Sequence, residues 1–510
     1  MKKELNKIIY FIKEHKKQIV LLFVIALLTY FVKIFNYSIS IDTEVNTNNA
    51  TANDLPWIST GRWTLLFIGK IVHYKGIFNP FVSNLIMIMF LTSSIVLLSY
   101  LLNKIFKDNN NINKIIIILG LVIITSPCIA EMLNFTLMTA EIGIAMFLTI
   151  LSVYSTYIVV FEHNKLFYIL AVLSLMVGMG TYQAFYPLYI GVVTFIYSLE
   201  LIENGKLKLK ENIFSIFKIL LIFIVSYGLS SIISTMLLNH YNLTKSGYLT
   251  NQIAWGKNPL SDIFHNIKDY VQQILIAKNS VFFTKIYLFI SILTIVSAID
   301  VIQKKKSKSI LILSSLFVSY ASPFMLCILM GAAPVNRTQF CLPFVTALFI
   351  TLFIHLFDNK RLQYAIMFLT LCFSFSQYKT TSDLFYSDYI RYKEDVRFTQ
   401  DVMNKIDMMD GLEKNREDMI IVFVGAHSPK SSASALKGET LGYSFYEWDQ
   451  GTEFGANIRI NGFANTIGYR YILPTKEDVK RAREISNKLE VYPKKDSIKV
   501  IGDMIVVKLS

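Results

Sequence analysis

The stretch IVLLFVIALLTYFVKIFNYSISIDTE, residues 19–44, decides the fold. Its apolar part, 19–36, is long enough to cross a bilayer, which takes about 20 residues. The run closes on two carboxylates, Asp42 and Glu44, just past the end of the apolar span. Acidic groups are expensive beside hydrocarbon. A pair of them there marks either the water boundary of a helix or a place where chemistry is done. The stretch alone leaves both readings open.

Composition sets the class. Of 510 residues, 53% are hydrophobic and 17% charged, and the mean hydropathy is +0.46. Soluble domains run nearer a quarter charged. Phenylalanine (38) and tyrosine (28) are abundant, as in membrane proteins with wet cavities and interfacial belts. The formal charge of +14 does not point to nucleic acid, because the lysines sit in short loops between apolar runs. Cys128, Cys327, Cys341 and Cys372 all fall in apolar segments, so no disulfide framework is expected. The seven histidines lack metal-ligand spacing, and neither a metal nor a cofactor is expected.

Working outward, runs of spanning length lie near 19–36, 81–103, 114–130, 139–160, 165–181, 186–202, 213–238, 286–302, 309–330, 340–357 and 362–378. The expectation is a polytopic α-helical membrane protein with about eleven transmembrane helices over residues 1–378. TYQAFYP (181–187) between the fifth and sixth runs reads as a tight turn or as a break inside a re-entrant pair. Every second loop is basic: Lys2 to Lys17, then Lys104, Lys107 and Lys114, Lys165, Lys206 to Lys210, Lys304 to Lys308, and Lys360 with Arg361. Basic loops stay in the cytoplasm. The N-terminus is then cytoplasmic. The loops 37–63, 131–138, 239–285 and 331–339, and everything after about 379, are outside.

Residues 379–510 change character and predict a small extracytoplasmic α/β domain. Asp388 to Met409 has an amphipathic helical stripe. IIVFVG (420–425) reads as a buried strand, and TKED (475–478) as a capped helix start. SIKVIGDMIVVKL (497–509) reads as a hairpin turning at Gly502-Asp503. No phosphate-binding glycine loop or Gly-x-Ser-x-Gly element is present.

The outward loops hold few charges near the membrane: Asp42, Glu44 and Asp54 in the first, Glu131 and Glu141 around the second, and Arg337 in NRTQF (336–340). A carboxylate there can act as a general base toward a hydroxyl, and a guanidinium can grip a phosphate with two parallel bonds. That is the minimum for moving a sugar from a lipid phosphate to an acceptor hydroxyl. Each residue also has a plainer reading. Glu141 starts a helix, where a carboxylate suits the dipole. Tyr182 and Gln183 either line a cavity or bond neighbouring helices. Glu447, Trp448 and Asp449 pair an aromatic ring with carboxylates, yet a solvated turn is the favoured reading.

SIDTE, GRW (61–63), TYQAFYP, NRTQF and the closing GDMIVVKL (502–509), in that order over nearly the whole chain, resemble the GtrII-like membrane glucosyltransferases, the serotype-converting enzymes of O-antigen modification. The resemblance implies a GT-C-like multi-spanning core in the cytoplasmic membrane. It implies a polyprenyl-phosphate-linked sugar donor, a cell-envelope glycan acceptor and inverting transfer at the outer face. A donor-synthesising polyprenyl-phosphate glycosyltransferase and a flippase would act in the same pathway. It places an essential acid in the first outer loop, which here is Asp42 or Glu44. Arg62 then joins Glu131, Glu141, Tyr182, Gln183 and Arg337 as expected substrate-binding residues. This chain has Asp-Thr-Glu in place of two adjacent acids, and donor sugar and acceptor do not carry over. Two rivals stay open, a lipid-linked oligosaccharide polymerase and a polytopic transporter or flippase of envelope glycans. A non-catalytic sensor is a third.

Overall fold

The computed structural model describes residues 2–73, 77–107, 111–205, 209–278, 281–304, 309–357, 359–409 and 415–510. Of the basic loop residues, Lys206, Lys208, Lys305, Lys306 and Lys308 lie outside the described residues. Helices occupy each of the eleven apolar runs. Among the described residues six are long and apolar enough to cross a membrane: Pro80–Phe106, Thr136–Phe161, Phe185–Asn204, Lys210–His240, Ile286–Gln303 and Ser309–Met330. The pair Ile112–Ile124 and Pro127–Asn134, bent by 51°, makes a seventh if it is one span.

The expected count of eleven is thus met by length and composition for six or seven, and the other four runs have structural reasons for differing. The first is broken at Tyr30, between Lys16–Thr29 and Phe31–Phe35. Phe167–Thr181 and Cys341–Leu356 are 15 and 16 residues long. The last is only the opening part of a 48-residue helix, Lys360–Asp407, which runs unbroken through the expected domain boundary at 379. At TYQAFYP one helix ends at Thr181, Tyr182 is extended, and the next helix starts at Phe185, so the chain turns tightly.

Burial separates centre from rim. In Phe185–Asn204, 83% of the apolar window is buried, against 17% in Lys210–His240. The latter exposes Ile213, Phe217, Leu220, Ile224, Ile232 and Met236, an apolar face of the kind that lipid covers. The helix ends sort into two groups. At one end Lys104 meets Glu4 at 2.8 Å and Glu162 at 2.5 Å. There also His355 meets Glu203 at 2.7 Å, and Lys114 donates to Gln363. The opposite end carries the first loop, the 135–138 turn, the 336–340 turn and the C-terminal part.

In the C-terminal part, β1 (Ile420–Val424), β2 (Ile498–Ile501) and β3 (Met504–Lys508) form a sheet of order β1-β3-β2. β1 runs parallel to β3, with Val422 opposite Val506; β2 and β3 are the expected hairpin around Gly502. One face of the sheet packs Ile421, Phe423, Ile505 and Val507 on Val402, Met403 and Ile406 of the long helix. The other packs Val422 and Val506 on Val479 and Ala482 of the helix Lys476–Ser486. That helix begins with the expected capping box, Thr475 with Asp478. The segment between β1 and the helix Asn457–Thr466 reaches back onto the bundle, where Leu441 enters the main core.

Candidate active site

The first loop leaves its helix extended at Asn36 and is held at three successive points. The Lys33 ammonium, buried, donates to the Ser38 carbonyl at 3.1 Å and to Asn134 Oδ1 at 3.3 Å. The fully buried Arg391 donates to the Ile39 carbonyl at 3.0 Å. Ser40 donates to the Asn134 carbonyl at 2.7 Å. Arg391 is itself paired with Asp388 at 2.7 Å and Asp395 at 3.3 Å. The loop then turns through Asp42, whose φ of +68° lies in the left-handed region that aspartate tolerates better than most residues. A short helix, Thr43–Asn48, follows.

This turn brings Asp42 and Glu44 under one cation. Arg459, on the helix Asn457–Thr466, contacts Asp42 Oδ1 at 2.7 Å and Glu44 Oε1 at 3.1 Å through Nη1, and Asp449 Oδ2 at 2.8 Å through Nε. The two acids differ in access: the Asp42 side chain is 41% exposed and that of Glu44 1%. Burial pushes the Glu44 carboxyl up to about 7; Arg459 opposes the rise and Asp42 adds to it. Glu44 Oε2 is buried with no hydrogen-bond partner among the described residues. The Cα of Gly462 closes over Glu44 from the same helix.

A second group gathers Arg62, Tyr182 and Arg337. The Arg62 guanidinium lies 4.6 Å from the centre of the Tyr182 ring. Arg337 lies 4.4 Å from the centre of the Phe135 ring, close enough to Tyr182 for the two to interact electrostatically. Nε of both arginines is buried without a hydrogen-bond partner among the described residues, so each keeps a donor to offer. Arg337 Nη1 meets Glu439 Oε2 at 3.4 Å. Burial raises the proton affinity of Glu439, against the pull of Arg337. Two guanidiniums with spare donors around one tyrosine suit an anion.

Glu131 and Glu141 belong to neither group directly. Glu131 is fully buried and accepts from the Thr440 amide and hydroxyl and, at 3.2 Å, from the Glu439 amide. It therefore seats the 438–440 loop on the bundle. Glu141, equally buried, meets His73 Nε2 at 3.1 Å. Gln183 follows Tyr182 in the turn and is half-buried. In the 447–449 segment, Glu447 pairs with Lys437 at 2.8 Å and Trp448 packs near Tyr443, while Asp449 is the third partner of Arg459. Among the described residues no group of three or more His, Cys, Asp or Glu is placed to hold a metal ion.

Arg459, Arg391 and Glu439 were not found from the sequence. All three lie in the C-terminal part and act on loops a hundred to four hundred residues away, and no local pattern announces such a partner.

The family described as Glucosyl transferase GtrII matches residues 30–357. The matched region contains Asp42, Glu44, Arg62, Glu131, Glu141, Tyr182, Gln183 and Arg337; it stops short of Arg391, Glu439 and Arg459. No curated protein and no solved structure matches the chain.

Proposed function

Because the chain belongs to the GtrII glucosyl transferase family, we propose that it moves a glucosyl residue from a polyprenyl-phosphate-linked donor to a cell-envelope glycan. The reaction takes place at the outer face of the cytoplasmic membrane. The N-terminus is cytoplasmic and residues 379–510 are extracytoplasmic, in keeping with the alternating lysine loops and with about eleven crossings.

The observation that carries this reading is Glu44: a buried carboxylate beside a second one, with one oxygen unbonded and a proton affinity raised to about 7. A base is most effective when its pKa lies near the working pH. Glu44 takes the proton from the acceptor hydroxyl as the hydroxyl oxygen bonds to the anomeric carbon. The bond from that carbon to the phosphate oxygen breaks, and its electron pair leaves with the polyprenyl phosphate. Attack from the side opposite the leaving group inverts the anomeric centre. The leaving phosphate is a weak base and needs no proton, so the remaining task is to hold its charge, which Arg62, over the Tyr182 ring, and Arg337, over the Phe135 ring, do with their spare Nε donors. Asp42, the exposed member of the pair, orients the acceptor.

The test is donor dependence. Membranes containing the protein are given polyprenyl-phosphate glucose or a nucleotide-activated glucose, and hexose gain on envelope glycan is read by mass spectrometry. Transfer from the lipid-linked donor alone is expected. Transfer from the nucleotide sugar in membranes unable to make the lipid-linked form contradicts the proposal.

A further inference from the structure

At the same end of the bundle as the acid pair lies a cavity of about 200 Å³ that the transfer scheme does not use. It sits between the turn at Ala50-Thr51, the helix Asp54–Ser59 and the end of the helix Trp63–Val72. The latter helix lies across the ends of its neighbours. At its start Thr64 bonds to Thr181, the last residue of the helix Phe167–Thr181. At its end His73 bonds to Glu141, near the first residue of another. Its Phe67 and Ile71 are exposed. The cavity therefore opens at the same end of the bundle as Asp42 and Glu44.

Its walls are Trp57, Asp54, Lys70, His73 and Thr51. Asp54 lies in the electrostatic reach of both Lys70 and His73, so the three converge on one space. Behind the wall, Glu141 fixes the His73 ring and keeps Oε2 buried without a partner. Gly69 brings that carboxylate close to the wall: a β-carbon there would stand 3.2 Å from Glu141 Oε1.

This set of groups selects its ligand by chemistry. A carboxylate accepts, an ammonium donates, and an imidazole does either. A ligand satisfying all three has groups that both donate and accept, which hydroxyls do. A phosphate is repelled by Asp54 and Glu141, and a metal cation by Lys70. The indole of Trp57 supplies an apolar plate for the C–H face of a ring. A few placed polar groups around an apolar wall are the common form of a small-molecule site. The volume admits one ring and not a chain of them.

We propose that this cavity is a monosaccharide subsite, in which one pyranose ring of the substrates stacks on Trp57 and is bonded through its hydroxyls by Asp54, Lys70 and His73. The assignment rests on the glycosyl-transfer reading above and names where one sugar ring of the substrates is held.

The test is saturation-transfer NMR on the full-length protein in lipid nanodiscs, with methyl β-D-glucopyranoside as the probe. Wild-type protein should saturate the ring protons, and Asp54→Asn and Lys70→Gln should each weaken binding by roughly tenfold or more, the loss of a hydrogen bond to a charged group. Thermal unfolding checks that the variants fold; Lys70→Gln, at a helix end, carries the test if Asp54→Asn does not. Glu44→Gln should keep the saturation signal while losing transfer, so failure of the base assignment reads differently from failure of the subsite. No signal with the wild-type protein, or an equal signal in both folded variants, overturns the proposal.

Discussion

Gly462 stands so close to Glu44 that a β-carbon added at 462 would lie 2.9 Å from Glu44 Cγ. Cγ is near the root of the side chain, so the clash cannot be relieved by a small movement of the carboxylate alone. Gly462→Ala should push the helix Asn457–Thr466 and Glu44 apart, at a cost of about 1–3 kcal/mol for overpacking. The expected outcome is folded protein with reduced glucosyl transfer, read by envelope-glycan mass spectrometry against protein level. Wild-type transfer would mean that the seal on Glu44 is unimportant.

Transfer should also depend on pH in a defined direction. Glu44 accepts a proton only as the carboxylate, and burial places its pKa at about 7. The rate should therefore rise with pH through about 7 and fall below it. Arg459 favours the carboxylate, so Arg459→Gln should move this limb to higher pH. A shift to lower pH, or a flat profile in the wild-type protein, would remove Glu44 from the base role.

Arg62 lies over the Tyr182 ring and Arg337 over the Phe135 ring, and neither Nε has a hydrogen-bond partner among the described residues. A lysine at either position keeps the charge and loses the planar fork. Arg337→Lys and Arg62→Lys should each lower kcat/KM for the lipid-linked donor by about tenfold to a hundredfold, the value of a hydrogen bond to a charged group. Full activity in Arg337→Ala would end its assignment to the leaving phosphate.

Glu131 should affect stability and not chemistry. Removing its carboxylate leaves the amides of Glu439 and Thr440 buried without an acceptor, at about 1–3 kcal/mol for each group. Glu131→Ala is expected to lower the thermal midpoint in detergent while the folded fraction keeps its turnover. Normal stability with lost turnover would reverse the assignment.

Much of the fold was readable because its signals are local. Apolar runs gave helices at all eleven places, and Gly502-Asp503 gave the β2–β3 hairpin. The span count was less readable, since hydropathy does not report a break at Tyr30. Nor does it report that Lys360–Asp407 continues: residues 379–388 turn polar but contain no glycine or proline to end the helix. The SIDTE stretch could be singled out because carboxylates beside an apolar run are unusual. Its partners could not. Arg459 is 417 residues from Asp42, Arg391 is 352 from Ile39, and Glu439 is 308 from Glu131. Such pairings are set by how the C-terminal part folds back on the bundle, which no spacing in the chain encodes.

The proposed chemistry turns on the acids of the first loop. The amide replacements Asp42→Asn and Glu44→Gln keep shape and remove basicity. A general base is worth about 10²–10⁴-fold in rate, whereas a carboxylate that merely suits a helix end contributes about 1 kcal/mol of stability. Envelope glycans from cells carrying each variant, at equal membrane protein level, should show hexose addition abolished for Glu44→Gln and lowered for Asp42→Asn. Addition at the wild-type rate in both variants would contradict the account and pass the base role to another carboxylate, with Glu141 beside His73 the next to test.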